Sequence, residues 1–386
     1  MATAEHVYFL GAGASVPDGY RVTAWLSCAV AAFLRHYRDV RGQRSPLEAY
    51  LASVYGLKRA EMEASADLWA DYADDEQAAG RLSQSVMPDI IDLLSALDLA
   101  IVENASFGPT VDKGKRWELR GNELVRVRER AVEALVTGFS QVRSNRLGKK
   151  GGHETAEKLV SRLHADDVVV TTNWDILIEE ALCAQRGSVA IDYGANLINV
   201  TTCGVPRSVA PAGPQVLKLH GSFNWLHCPH CRNLYANPNL MIAPEPVRRW
   251  PIDKECDCGA ELVGVLITPT YLKTYQIPQL LEIWRKAQKA LEFSPQWIFI
   301  GYSLPNDDLW IRGMLMRAFA IRRHSGALPE ITVVSRGPNK DLEQRYKRLF
   351  RGANFRFFDQ GVEKFVENEE VFFADERATQ SRRQVP

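Results

Sequence analysis

Apolar positions along this chain follow two periods, and the switches between them mark out its elements. Compact runs rich in β-branched and aromatic residues occur at His6–Leu10, Val168–Thr171, Val216–Leu219, Trp297–Ile300, Ile331–Ser335 and Phe355–Phe358. Runs without polar alternation fit strands buried on both faces, as in parallel sheets covered by helices. Elsewhere apolar residues recur every three or four positions, as in 46–51, Met87–Val102, Glu123–Val142 and Ile283–Leu291, and predict amphipathic helices. Strands alternating with helices predict an α/β fold, a Rossmann-like doubly wound parallel sheet. The region 25–164 is mostly helical in pattern and predicts a large helical insertion between the first two strands. Within it, Ser106–Arg120, with Gly108, Pro109 and Gly114, reads as a loop, and the acidic, alanine-rich stretch 67–80 as a solvated helix face. A second loop-rich stretch, with Gly187, Gly194, Gly204 and Pro206, lies between Cys183 and Pro214.

The chemistry collects where strands end. The first strand runs into Gly11-Ala12-Gly13-Ala14-Ser15, the second into Thr172-Asn173-Trp174-Asp175, the third into His220-Gly221-Ser222, and the fourth into Gly301-Tyr302-Ser303-Leu304. Open α/β sheets bind ligands outside the carboxyl ends of their strands, and a glycine turn lets backbone approach a pyrophosphate while helix N–H groups aim at it. Each residue alone has a plainer reading. Asn173 and Asp175 suit a helix cap, as do Asn306 to Asp308 before a helix starting near Leu309. An isolated histidine is often just a satisfied polar group. The convergence of four such junctions is what points to a site.

After the His220 strand come Cys228-Pro229-His230-Cys231 and, after 24 intervening residues, Cys256-Asp257-Cys258-Gly259. Paired thiolates on tight turns are what tetrahedral zinc requires, although the second pair is CxC and not CxxC. Four thiolates close the shell, so the expected Zn2+ is structural and His227 and His230 stay outside it. Cys183 and Cys203 read as ordinary thiols.

Composition narrows the classes. Hydrophobic content of 46% and charged content of 24% are ordinary for a globular protein. The 47 basic and 47 acidic residues cancel, which argues against direct nucleic-acid binding. No run is long enough to span a membrane, and MATAEHVYFLGAGAS lacks the pattern of a signal peptide, so a cytoplasmic location without membrane attachment is expected. In that compartment seven cysteines read as thiols or metal ligands. No P-loop pattern is present.

Taken as an ordered set, GAGAS, TTNWD, LHGS, the paired cysteines and GYSL resemble the sirtuin superfamily, whose second and last motifs read TQNID and GTSL. The resemblance covers residues 5–25 and 165–375 and is closer to the sirtuin-like NAD hydrolases of bacterial anti-phage defence. It implies a catalytic, NAD-binding domain formed by 1–24 and 165–375, a helical insertion at 25–164, a zinc-ribbon module at 226–262 and a frayed tail at 376–386. It also implies roles. His220 would be the general base, Asn173 would hold the nicotinamide ribose and the attacking water, and Asp175 would bond the carboxamide. Gly11, Ala12, Gly13, Ser15, Thr172 (glutamine in the family) and Gly301 would contact the cofactor, with Ser303 toward its phosphate or adenosine ribose and Ser335 at its adenosine end. The loop at Pro17, Asp18 and Gly19 would be the flexible one that closes over the nicotinamide side. Deacylating sirtuins carry an FGE-type peptide-binding segment where this chain has Ile267-Thr268-Pro269-Thr270-Tyr271-Leu272-Lys273, which favours NAD hydrolysis over deacylation. A protein deacylase and a non-catalytic NAD or ADP-ribose sensor are the alternatives. As implied partners, the resemblance suggests further copies of the chain and a separate HerA-like ATPase or Argonaute-like protein, with activation by assembly or by that partner.

Overall fold

The computed structural model describes residues 4–37, 45–70, 80–112, 115–147, 154–186, 191–199, 213–237, 256–271 and 277–368. In chain order its elements begin β1 (His6–Leu10), α1 (Leu26–His36), α2 (Pro46–Val54), α3 (Arg59–Ala70), α4 (Ile90–Val102), β2 (Ser106–Asp112), β3 (Lys115–Arg120), α5 (Asn122–Leu147) and α6 (Glu154–Ser161). They continue with β4 (Val168–Thr171), α7 (Leu177–Arg186), β5 (Ile198–Asn199), β6 (Gln215–Lys218), β7 (Gly221–His227), β8 (Leu234–Ala236), β9 (Val263–Leu266) and α8 (Pro278–Phe293). The last are β10 (Gln296–Ile300), α9 (Leu309–His324), β11 (Glu330–Val334), α10 (Lys340–Leu349), β12 (Asn354–Phe358) and α11 (Val362–Glu367).

The six apolar runs of the sequence form one sheet, ordered β12-β11-β10-β1-β4-β6, with every pairing parallel. Val7, Phe9, Val169, Val170, Val216, Leu217, Trp297 and Phe299 are all fully buried, because helices cover both faces. Beneath β10, Trp297, Phe299, Phe319, Tyr346 and Phe350 meet largely edge to face with centroids 5.1–6.1 Å apart. From β1 the chain steps outward through β4 and β6, returns to β10 on the other flank of β1, and steps outward again. The order therefore reverses between β1 and β10, and the crevice at that reversal is where doubly wound folds take ligands.

At the reversal the turns after β1 and β10 interlock. Gly11 N–H donates to the Ile300 carbonyl and Gly13 N–H to the Gly301 carbonyl, each at 3.0 Å. A Cβ on Gly11 would stand 2.6 Å from Gly301 O, and one on Gly301, where φ is +62°, would stand 2.2 Å from Ala14 N. These glycines exist because two backbones touch.

A second sheet, ordered β5-β8-β7-β9, stands beside the first. It changes the reading of the histidine stretch: Gly221 and Ser222 are not merely turn residues but begin β7, so the chain passes from one sheet to the other at His220. Gly221 makes the crossing possible with φ +79°, where a Cβ would meet Val265 O at 2.1 Å.

The helical region shares one continuous core with the sheet. Helix α5 docks directly on the sheet's loops: Phe139 lies 5.0 Å from Phe223 and 6.1 Å from Trp174 between centroids, while Arg143 and Arg146 both pair with Glu180 of α7. The expected loop at Ser106–Arg120 is instead the antiparallel hairpin β2–β3; Gly108 and Pro109 are absorbed in a bulge, where glycine and proline are tolerated. Of the 67–80 stretch, α3 carries the first residues, with Asp67 exposed beside Arg35, and 71–79 lie outside the described residues. So do Gly187, Cys203, Gly204, Pro206 and the tail from 369. Among the described residues no helix is long and apolar enough to cross a membrane.

The interlock sets a stability prediction. Gly301→Ala combines a left-handed backbone with a clash against Ala14 N and should cost roughly 2–4 kcal/mol. Gly19→Ala, also at positive φ but with open space around it, should cost only about 1 kcal/mol. Equilibrium unfolding of the two variants checks the difference, and similar losses would refute it.

Candidate active site

A cavity of about 1310 Å³, counted with its open mouth, lies over the carboxyl ends of β1, β4, β6 and β10. Of the residues predicted from sequence, Ala12, Gly13, Ser15, Thr172, Asn173, Asp175, His220, Gly301 and Ser303 line it. Gly11 lies beneath, occupied with Ile300. Ser335 directly follows β11 and does not line the cavity; its hydroxyl donates to Gly337 O at 3.0 Å and its N–H to Phe358 O.

The glycine turn differs from expectation. It is followed not by a helix but by a 3-10 turn over Ala12–Ala14, and α1 starts only at Leu26. The N–H groups of Gly11, Gly13, Ala14 and Ser15 are all used within the protein. The start of the helical segment that follows, at Val22, Thr23, Ala24 and Leu26, also lines the cavity.

Those side chains are held in a chain of hydrogen bonds. The Asn173 amide donates to Gly11 O at 2.9 Å and to Ser15 Oγ at 3.0 Å, and Ser15 Oγ donates to Asp175 Oδ2 at 2.8 Å. Because Gly11 O can only accept, the amide orientation of Asn173 is fixed and its oxygen is left to meet donors such as water or a sugar hydroxyl. Asp175 serves twice: Oδ1 caps α7 by accepting from Leu177 N at 3.2 Å, and Oδ2 takes the Ser15 bond. Thr171 Oγ1 accepts from Asn173 N at 3.0 Å.

Sequence reasoning passed over Lys218. This fully buried lysine of β6 donates to the Asp175 carbonyl and, at 2.9 Å, to Glu179 Oε1, pinning the 173–175 turn from below. Burial pushes the Glu179 carboxyl up, and Lys218 opposes this. The signal was a cation in an otherwise apolar run, VLKL.

Further cavity residues were also missed: Tyr20, Arg21, Ile91, Phe139, Tyr302, Asp307 and Asp308. Arg21 stacks on Trp69 with 3.7 Å to the ring centroid, and Tyr20, whose hydroxyl burial pushes far up, packs by Phe139. Asp308 was read as a cap for α9 but makes no capping bond with its side chain. The loop expected to be flexible is tied down at Asp18, which accepts from Thr155 N at 3.2 Å and Ala156 N at 3.0 Å and so caps α6. Burial nevertheless pushes the Asp18 carboxyl up to about 6.

On the opposite flank, Cys228, Cys231, Cys256 and Cys258 bring their Sγ atoms within 4.8 Å of one another. Sulfur separations are 3.5 Å for Cys228–Cys258 and 3.2 Å for Cys231–Cys256. The edge of a tetrahedron around zinc at 2.3 Å is about 3.8 Å, so the set fits the ion with small adjustment. The CxC spacing is accommodated because Gly259, at φ +80°, turns the chain tightly after Cys258. Tyr235 bonds Cys256 at 3.1 Å and holds its thiol down at about 6. Together with Leu226 and Leu262 this forms a small core separate from the main one.

The fold defines a doubly wound α/β protein with a cavity at the sheet's reversal. The model of the SIR2-like domain family matches residues 167–358, from just before β4 to the end of β12, and the chain belongs to the sirtuin-like superfamily. This ties the cavity to NAD-related chemistry. The match omits β1, which the structure places at the centre of the same sheet. No curated protein matches the chain.

Two outcomes are expected. The protein purified under reducing conditions should carry about one zinc per chain, and Cys256→Ser or chelation should lower its melting temperature; metal analysis finding none would contradict the four-thiolate site. The second concerns Asp18, whose folded-state pKa of about 6 exceeds its ordinary 3.8. The folded state binds the proton more tightly, so this group's contribution to stability is complete below about pH 4 and lost as pH rises through about 6. Asp18→Asn cannot ionise. Whatever constant offset it introduces, its stability relative to the wild type should improve by roughly 2–3 kcal/mol between pH 4 and 7.5. A pH-independent difference would contradict the raised value.

Proposed function

We propose that the chain is an NAD+ glycohydrolase that cleaves NAD+ with water to nicotinamide, ADP-ribose and a proton. The observation that carries this over deacylation is the closed backbone at 267–271. Ile267 N donates to His220 O at 2.8 Å, the Ile267 carbonyl accepts from Trp174 Nε1 at 3.2 Å, and Thr270 N bonds Thr268 O. Tyr271 N donates to Ser95 Oγ at 3.0 Å. A peptide substrate adding as a strand needs free N–H and C=O groups along such an edge, and here the N–H groups of Ile267, Thr270 and Tyr271 and the carbonyls of Ile267 and Thr268 are already engaged within the chain.

In the proposed reaction the Asp175 carboxylate accepts from the nicotinamide carboxamide. The Asn173 amide oxygen holds the ribose and the attacking water. As the C1′–N bond breaks, its electron pair leaves with nicotinamide, and the acidic lining, Asp175, Asp307 and Asp308, favours the cationic sugar. Water forms the new C1′–O bond and gives its proton to His220, which returns it to solvent.

Unrestrained NAD loss is toxic, so we further propose that the activity serves anti-phage defence by depleting NAD, and that assembly of copies or a separate protein releases it. Incubation with NAD+ and separation of products should show nicotinamide and ADP-ribose without any peptide. His220→Ala and Asn173→Ala should each reduce turnover by roughly 10²-fold or more. Peptide-dependent release of O-acetyl-ADP-ribose would replace this reading with a deacylase. Full-rate turnover by purified monomer, sized by light scattering, would remove the proposed restraint.

A further inference from the structure

Asp308 occupies the N-cap position of α9 with φ −85° and ψ 48°, yet its side chain does not cap the helix. The residue is 5% exposed and its carboxylate lines the cavity. Oδ2 accepts from the Tyr302 hydroxyl at 3.0 Å, and Oδ1 lies 3.7 Å from Nε2 of His220, itself 7% exposed. Tyr302 is fixed in turn: its ring packs 4.7 Å from Phe9, and its carbonyl accepts from Tyr346 Oη at 2.8 Å. Burial and the neighbouring Asp308 push the Tyr302 hydroxyl far up, so it stays a donor. Burying a carboxylate is costly unless it is partnered, and this one lies between a phenol and an imidazole.

We propose that Asp308 is a positioning residue for His220, its own carboxylate held in place by Tyr302. The inference rests on the hydrolase reading for its kinetic consequence but on geometry alone for the contact. A carboxylate fixed beside an imidazole sets which ring nitrogen carries the proton and stabilises the imidazolium formed when the ring takes a proton from water. The 3.7 Å separation exceeds a hydrogen bond, and such contacts shorten when substrate fills a site. The other charged groups lining the cavity with His220 are Arg21 after β1, Asp175 after β4 and Asp307 before α9. Behind the 267–270 wall, Arg128 of α5 is paired with Asp98 and donates to Thr268. Asp308 places a carboxylate oxygen against the ring, 3.7 Å from Nε2.

The test uses the full chain with Asp308→Asn, which keeps the size and an acceptor for Tyr302, and Tyr302→Phe, which frees the carboxylate. With NAD+, Asp308→Asn should lower kcat at least about tenfold while KM changes less than about threefold. It should also move the acidic limb of the kcat/KM profile to lower pH. Tyr302→Phe should lower kcat less, in the same sense. Independently of turnover, the His220 ring followed by NMR should titrate at lower pH in Asp308→Asn than in the wild type. That measurement is readable even if the protein hydrolyses no NAD, so failure of the hydrolase reading and failure of this inference are distinct. An unchanged His220 titration in folded Asp308→Asn overturns the inference, as does a wild-type kcat and pH profile. Should Asp308→Asn not fold, an unchanged titration in Tyr302→Phe does so.

Discussion

Two backbone hydrogen bonds, from Gly11 to Ile300 and from Gly13 to Gly301, fix the turn after β1 against the turn after β10, and the site is assembled outward from them. The contact sets the place of Ser15, Ser15 holds both Asn173 and Asp175, and Asn173 returns a bond to Gly11 O. Three neighbouring strands, β10, β1 and β4, are thereby closed into one hydrogen-bonded circuit above the sheet. Such closure lets short polar side chains keep a single orientation at the end of a loop, where they would otherwise be free to turn. It also engages the N–H groups of Gly11, Gly13, Ala14 and Ser15. Ser15, Asn173 and Asp175 are the cavity side chains that the circuit orients.

Charge within the site is arranged in two layers. Asp175, Asp307 and Asp308 line the cavity with Arg21 and His220, giving an acidic surround, while Lys218 and Glu179 form a buried pair beneath it. A buried ion pair seldom adds net stability, because desolvating two charges offsets their attraction. The worth of this one lies in direction: Lys218 also binds the Asp175 carbonyl, and Glu179 is further tied to Tyr193, which accepts from Asn224 at 2.8 Å. The pair thus joins the β4 turn to β6 and β7, the elements that flank His220.

Much of this was legible in the sequence because its causes are local. Largely apolar runs of this kind suit a sheet covered by helices, and all six reappear as its strands, although the edge strand β12 has no fully buried residue. The cysteine pairs and the glycine turn carry their signal in spacing. What could not be read depends on partners distant in the chain. Asn306-Asp307-Asp308 before a helix is indistinguishable from a cap until Tyr302 and His220 are seen to draw Asp308 away. Gly221 and Ser222 looked like a turn because nothing local shows that β9 waits beside them to pair. The bulge at Gly108 and Pro109 hides a hairpin behind two residues that usually end one. That the glycines of the turn after β1 also make room for the backbone of Gly301, nearly 300 residues away, could not be read from the turn itself.

The helical region bears on function through contacts that periodicity could not assign. Leu26, Ile91 and Phe139 form part of the cavity wall, and Phe139 packs against Trp174, next to Asn173, and Phe223 of β7. Arg146 of the same helix reaches over Tyr20, 5.5 Å from its ring, and joins Arg143 on Glu180. Helix α5 therefore touches the loop after β1, the loop after β4 and the start of β7 at once. A packed interior transmits displacement instead of absorbing it. Any force that shifts α5 by a fraction of a side chain, from a second copy of the chain or from another protein, would bear on Asn173 and on the cavity wall together. The helical region thus forms part of the cavity wall.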